Sequence, residues 1–182
     1  MLVELQHRYD LLVQRQRQFE AATINLSEAQ LRFRPKPGSW SLAEVARHML
    51  DVEYQVTRAA TKPGVDRRMP KPTPRERMGL LMFHAITLFG IRIRIPRAVS
   101  DRVTPHAEPD MDALWREWRE VHANLRTFLD ATTAETLTAL AYRHPIVGPT
   151  PVKGMLSFLT KHFDHHMKQV SRIRASPGFP RS

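Results

Sequence analysis

The sequence predicts an all-α protein, a four-helix bundle with long crossover loops and an extra short helix. Apolar residues recur at spacings of three and four in the long segments between proline- and glycine-rich stretches, which is typical of helices with one buried face. The one alternating stretch, Ile91 to Ile95, has no second strand to pair with. With 182 residues, 42% of them hydrophobic, the chain is expected to form a single domain over residues 1–182.

The first half of the chain predicts two long helices. The first runs from about residue 2 to 23, with Leu5, Tyr9, Leu12 and Phe19 on its apolar face. Residues 25–39 contain two prolines and a glycine, so a connector with at most a short helical turn is expected there. Ser41 and Glu44 have the spacing of a capping box, which predicts a second helix from Ser41 to about residue 60.

The second half predicts further helices, with irregular segments between them. Residues 61–74 hold four prolines and a glycine and predict a loop. A helix from Arg75 to Gly90 follows, with Met78, Leu81, Met82, Ile86 and Phe89 expected to face inward. Residues 91–110 are predicted to be an extended connector, 111–129 a helix, and the segment around Pro145 to Pro151 irregular. A final helix is expected over residues 152–174.

Composition excludes several classes of site and leaves one alternative open. The chain has no cysteine, which excludes thiolate metal ligands, iron–sulfur clusters and a cysteine nucleophile. The net charge is +10, and residues 62–102 hold ten Lys or Arg against three acids. This basic region is compatible with a nucleic-acid partner, but no recognition motif accompanies it, so nucleic acid is not the favoured partner.

The sequence shows no membrane signal. Its start is an amphipathic helix with charges inside it and lacks the features of a secretion signal. The longest apolar stretch, Leu80 to Ile91, contains His84 and is too short to span a bilayer. A cytoplasmic protein that does not associate with membranes is therefore expected.

Histidines on two of the predicted helices indicate a metal site. His162 and His166 are four residues apart and share the apolar face of the last helix, which lets both rings approach one ion. By themselves they are equally compatible with histidines that hydrogen-bond within a core. His48 lies at the edge of the buried face of the second helix, and three inward histidines together favour a three-histidine site with at least one open position.

Two segments resemble one known family. They are PKPGSWSLAEVARHML at residues 35–50 and HPIVGPTPVKGMLSFLTKHFDHHMKQV at residues 144–170. Together with the order of the helices, they resemble the DinB-like superfamily, also called the DinB/YfiT family of metalloenzymes, over nearly the whole chain. The resemblance implies a down-up-up-down four-helix bundle with one divalent metal ion, most often zinc or nickel. It places the three ligands at His48, His162 and His166.

The resemblance also frames the functional hypotheses. Relatives include thiol-dependent S-transferases and proteins of the DNA-damage stress response, so the leading hypothesis is a metal-dependent transferase or hydrolase. Its substrate would be a small molecule, with a low-molecular-weight thiol as a candidate partner. A homodimer is expected from the resemblance alone. The alternatives are a non-catalytic, metal-stabilised stress-response or ligand-binding module, and a nucleic-acid-associated protein that uses residues 62–102.

Residues next to the predicted ligands are candidates for supporting roles. Asp164 and His165 lie between the two helical ligands, and Gln169 follows His166 by three residues. Histidine ligands usually donate their second ring N–H to a carboxylate or a carbonyl, so these neighbours are candidates to support the ligands. At about 100° per residue, His165 falls on the flank of the helix and is not expected to be a ligand. No residue is assigned as catalytic.

Overall fold

The computed structural model describes residues 1–64, 66–79, 81, 103–105, 108–145 and 147–181. Within these ranges the long helices are α1 (Val3–Thr23), α3 (Leu42–Thr61), α4 (Met111–Asp130) and α5 (Val152–Arg174), and α2 (Glu28–Arg32) is a short one. The strands β1 (Leu140–His144) and β2 (Gly148–Pro151) precede α5. The prediction of an all-helical bundle is confirmed, with the addition of one small hairpin.

The start of α3 is fixed by the capping box that the sequence predicts. The Ser41 hydroxyl accepts a hydrogen bond from the backbone N–H of Glu44 (3.2 Å), and a Glu44 carboxylate oxygen accepts one from the backbone N–H of Ser41 (2.8 Å). Both residues are buried. This reciprocal pair satisfies two otherwise unpaired donors and sets where α3 begins, and therefore which of its residues face the core.

The core is centred on aromatic side chains of α4. Trp118 is fully buried and stacks on Trp115, with ring centroids 5.2 Å apart, and on Phe163 of α5 at 5.7 Å. The ring of Phe19 of α1 is tilted against both tryptophans, with its centroid 6.2 Å from that of Trp115 and 6.0 Å from that of Trp118. Helices α1 and α5 pack together, and α3 packs against both α4 and α5. This packing holds the inward faces of α3 and α5 next to each other.

A glutamate and a histidine are buried together between α3 and α4. Glu53 is 1% exposed, and one of its carboxylate oxygens accepts a hydrogen bond from the Trp118 indole N–H at 2.8 Å. The other oxygen lies 2.7 Å from Nε2 of His122. A buried carboxylate needs such partners, because its desolvation is costly when either oxygen is left alone.

The segment around Pro145 to Pro151, predicted to be irregular, instead contributes to an antiparallel hairpin. Tyr142 of β1 pairs with Thr150 of β2, and Gly148 pairs with His144. Proline is compatible with β2 because, among the described residues, β1 is the strand that pairs with it, so a missing N–H is tolerated on its outer edge. Gly148 has a φ of +80°, which favours glycine, and a Cβ atom there would displace the Glu76 carboxylate, whose Cδ would lie 2.5 Å away.

The predicted third helix is described only in part. Residues 74–79 are helical, whereas Met82, Ile86, Phe89 and the alternating stretch lie outside the described residues. Met78 and Leu81 were expected to face inward, but they are 59% and 67% exposed. The reason lies in Glu76, whose carboxylate accepts a hydrogen bond from Arg143 of the hairpin at 2.6 Å. The hairpin thus contacts the Glu76 side of this turn, and at about 100° per residue Met78 points the other way.

One arginine joins the end of α3 to the hairpin. The Arg67 guanidinium donates to the carbonyl oxygens of Ala60 (2.7 Å), Lys62 (2.8 Å) and Ala141 (2.8 Å). The carbonyl oxygen of Arg67 accepts from the backbone N–H of Leu140 at 2.8 Å. The last carbonyls of a helix have no partner inside the helix, so a cation at this point satisfies them and also opposes the helix dipole.

No described helix combines the length and the apolar character that are needed to cross a membrane.

Candidate metal centre

Three histidine side chains from two helices converge on one point. Nε2 of His162 lies 3.2 Å from Nε2 of His48 and 3.1 Å from Nε2 of His166. All three candidate ligand atoms lie within 4.8 Å of one another. His48 comes from α3, and the other two are one turn apart on α5, so the α3–α5 contact creates the cluster. The structure thus brings together the three residues that the sequence predicts as ligands.

Two of the three rings are held by hydrogen bonds at Nδ1. The His48 Nδ1–H donates to the carbonyl oxygen of Val103 at 2.6 Å, and the His166 Nδ1–H donates to the side-chain oxygen of Gln169 at 2.9 Å. A carbonyl oxygen only accepts, so in a neutral ring the proton is fixed on Nδ1. The lone pair of each ring is therefore left on Nε2, which faces the shared point.

Burial keeps these rings uncharged. His48 and His166 are buried, and His162 is partly buried. Burial lowers the pKa of His48. Burial also lowers the pKa of His166, to about 3, and the neighbouring rings of His48 and His165 add to this effect. The pKa of His162 lies well below its usual range, mainly because of burial and secondly because of His166 and His48. Neutral imidazole is the form that binds a metal ion.

The donor set fits a divalent cation. In a tetrahedral site with nitrogen ligands at about 2.0–2.1 Å, the nitrogens are separated by about 3.3 Å. The separations of 3.2 and 3.1 Å on either side of His162 are close to this value. The lone pairs on His48 and His166 also need a partner, and a proton on His162 Nε2 satisfies only one of them. A single cation at the shared point satisfies all three nitrogens.

Aromatic rings surround the cluster. The Trp40 ring lies against His48 with a centroid distance of 4.8 Å, and Phe158 stacks on His162 at 5.7 Å. His144 of the hairpin contacts the Phe158 ring edge-on at 4.8 Å, and its Nδ1 accepts a hydrogen bond from the Val147 backbone N–H. Burial lowers the pKa of His144 to about 4. Trp40, Phe158 and His144 thus form an aromatic wall beside the histidine cluster.

The three supporting residues suggested by the sequence occupy different places. Gln169 contacts His166 directly. His165 is exposed; its ring lies 5.0 Å from the His166 ring, and it is not part of the cluster. Asp164 is about half exposed and forms an ion pair with Arg15 of α1 at 2.7 Å. Helix geometry placed His165 on the flank, where the structure has it, but did not distinguish the environment of Asp164 from that of Gln169.

Sequence reasoning gave no role to Val103. Its side chain is buried, but its contribution to the centre is a backbone carbonyl, which every residue has and no sequence pattern marks. Phe158 was also missed, although it precedes His162 by four residues, which is the spacing that places two side chains on one helical face.

Comparisons with known proteins agree with this architecture. A family model described as the DinB superfamily matches residues 11–170. A comparison with curated proteins gives no match. YfiT from Bacillus subtilis, a solved structure described as "a probable metal-dependent hydrolase with an unusual four-helix bundle topology", aligns with a TM-score of 0.60 and 16% identity over 96% of this chain and 88% of its own. A conserved protein from Enterococcus faecalis aligns with a TM-score of 0.59 and 15% identity, over 97% of this chain and 98% of its own. At these identities the likeness to the two structures is one of fold.

Proposed function

The chain belongs to the DinB superfamily, and from this premise we propose that it is a metal-dependent enzyme of the hydrolase or thiol-transferase type. One zinc or nickel ion would be held by His48, His162 and His166. The observation that carries the proposal is the convergence of three histidine nitrogens within 4.8 Å, two of whose separations, 3.2 and 3.1 Å, suit a tetrahedral ion. The description of YfiT as a metal-dependent hydrolase supports the hydrolytic form.

The set of three ligands favours a catalytic role for the ion over a purely structural one. Structural zinc sites usually have four protein ligands, whereas the cluster formed by the described residues has three. Three neutral imidazoles leave the double charge of the ion uncompensated. When bound, the ion would lower the pKa of a coordinated water or thiol and so supply a nucleophile near neutral pH.

The chain's own residues would orient the ligands and restrict water. The Val103 carbonyl and the Gln169 amide oxygen fix the rings of His48 and His166 and make Nε2 the coordinating atom. Trp40 and Phe158 cover the outer faces of His48 and His162. The substrate is proposed to be a small molecule, with a low-molecular-weight thiol as co-substrate in the transferase form, and the protein is proposed to act in the cytoplasm. A homodimer stays a prediction.

Elemental analysis of protein purified without a metal-affinity tag tests this proposal first. We expect about one zinc or nickel ion per chain, removable by a chelator and restored by one equivalent of added metal. Protein that contains no divalent metal and takes up none on titration would contradict it. The loaded protein should then be assayed for hydrolysis of activated esters and amides and for thiol conjugation. Full occupancy and stabilisation by metal without turnover would favour the non-catalytic module instead.

Gln169 provides a milder test of the same centre. Replacing Gln169 with leucine keeps the side-chain volume but removes the oxygen that accepts the His166 Nδ1–H. The dissociation constant for cobalt is expected to rise about 10-fold, as is usual when such a supporting group is lost. The measurement is a titration followed by the visible absorption of the bound ion. Gln18→Leu, on the exposed side of α1, is the matched control and should leave the affinity unchanged.

A further inference from the structure

The acceptor for His48 comes from outside the bundle helices. Val103 belongs to the stretch that leads into α4, and its carbonyl oxygen accepts the His48 Nδ1–H at 2.6 Å. Its side chain is 6% exposed. The orientation of the His48 ring thus depends on a connector, whereas His166 is held by Gln169 of its own helix. The position of that connector must be fixed by other contacts.

Glu108 supplies such contacts. Its carboxylate accepts hydrogen bonds from the Ser41 hydroxyl, at 3.1 and 3.3 Å to the two oxygens, and from the Arg34 guanidinium at 2.9 Å. Arg34 also donates to Glu44 at 2.8 Å. Ser41 and Glu44 form the capping box of α3. Glu108 therefore attaches the connector to the end of the helix that carries His48.

Two prolines and a helix cap restrict the chain near Glu108. Pro105 and Pro109 fix φ at two positions between Val103 and α4. Asp110 caps α4 by accepting a hydrogen bond from the Ala113 N–H at 3.0 Å. Glu108 follows Val103 by only five residues, one of which is Pro105, so attaching Glu108 to α3 restricts where the Val103 backbone can lie.

We propose that Glu108 is a positioning residue of the metal centre, which holds the Val103 carbonyl against His48 so that the Nε2 lone pair of His48 faces the ion. The inference rests on the proposed function, because it assigns a role in binding the same ion. Without the carbonyl, the His48 proton is free to move to Nε2, and that tautomer cannot coordinate.

The chain contains a matched control one helical turn further along. Arg47 of α3 donates to Glu117 of α4 at 2.6 Å, and to Asp51 at 2.9 Å. The Arg47–Glu117 pair, like the Arg34–Glu108 pair, is an ion pair between an arginine and a glutamate from different segments of the chain. It does not involve the connector. Glu117→Ala therefore removes the same charge and an equivalent ion pair without freeing Val103.

The experiment is a cobalt titration of metal-free wild type, Glu108→Ala, Glu108→Gln and Glu117→Ala, with the unfolding free energy of each metal-free protein measured in parallel. Glu108→Ala is expected to raise the dissociation constant about 10-fold or more, and Glu117→Ala to leave it within about twofold. Glu108→Gln should recover part of the affinity, because an amide oxygen still accepts from Ser41 and Arg34.

A second readout observes the hydrogen bond itself. In metal-free protein labelled with ¹⁵N-histidine, the His48 Nδ1–H should give a slowly exchanging NMR signal in wild type and in Glu117→Ala, and should exchange at least about 10-fold faster in Glu108→Ala. A signal of equal protection in the two variants, or equal losses of cobalt affinity, overturns the inference. Failure of the wild type to bind cobalt overturns the proposed function instead, so the two failures are distinguishable.

Discussion

Replacing His162 with alanine is expected to abolish stoichiometric binding of a divalent ion. Its Nε2 is the central atom of the cluster, 3.2 and 3.1 Å from those of His48 and His166. If the binding free energy of a four-ligand zinc site is shared equally, one ligand contributes roughly 3–4 kcal/mol, so affinity should fall on the order of 100- to 1,000-fold. Metal content after dialysis and calorimetric titration with zinc measure this directly. Any metal-dependent turnover should be lost with the ion.

His165→Ala is the control for this variant. His165 lies between His162 and His166 in the sequence, but its side chain is exposed and outside the cluster. It should keep one ion per chain with little change in affinity. If His165→Ala loses the ion and His162→Ala retains it, the ligand assignment is wrong. If both retain it, the ion binds elsewhere on the chain.

Replacing His122 with alanine is expected to cause a large loss of stability. His122 faces Glu53, which is 1% exposed, so the variant leaves a buried carboxylate with the Trp118 indole N–H as its remaining partner. Leaving a buried acceptor without its partner costs about 1–3 kcal/mol, and more when the acceptor is charged. The free energy of unfolding, from urea denaturation followed by circular dichroism, is the measurement.

An exposed pair provides the comparison for His122. Glu28 and Arg32 form an ion pair on α2, with side chains 66% and 51% exposed. Glu28→Ala should change the unfolding free energy by less than about 1 kcal/mol, because water screens such pairs. If His122→Ala also remains within about 1 kcal/mol of wild type, the Glu53 carboxylate does not depend on this partner.

The long helices and the convergence of the three histidines could be predicted from sequence because their signals are local. Apolar residues at spacings of three and four marked α1, α3, α4 and α5, and Ser41 with Glu44 marked the start of α3. His162 and His166 lie four apart on one face, which is set by helix geometry alone. His48 required only that the buried faces of two helices meet, which a bundle of this size makes necessary.

The remaining features depend on contacts between distant segments. Tyr142 and Thr150 pair in a hairpin whose strands hold several prolines, which in a single sequence indicate a loop. Asp164 lies between two ligands on α5, yet which neighbour it meets depends on the packing of α1, where Arg15 binds it. The Val103 carbonyl has no sequence signal. Local patterns thus predict which residues face inward, whereas the partners that orient them follow from the tertiary fold.

The Arg67 guanidinium makes two parts of the molecule open together. Its bonds to Ala60 and Lys62 at the end of α3 and to Ala141 of β1 mean that the hairpin cannot detach without leaving helix carbonyls unpaired. Fraying of α3 and release of β1 are therefore one cooperative event, with a higher free-energy cost than either alone. Because β1 also carries His144 against Phe158, the same event would uncover the aromatic wall of the metal centre. Unfolding of the C-terminal end of α3, more than two turns from His48, is in this way coupled to the entry of solvent at the site.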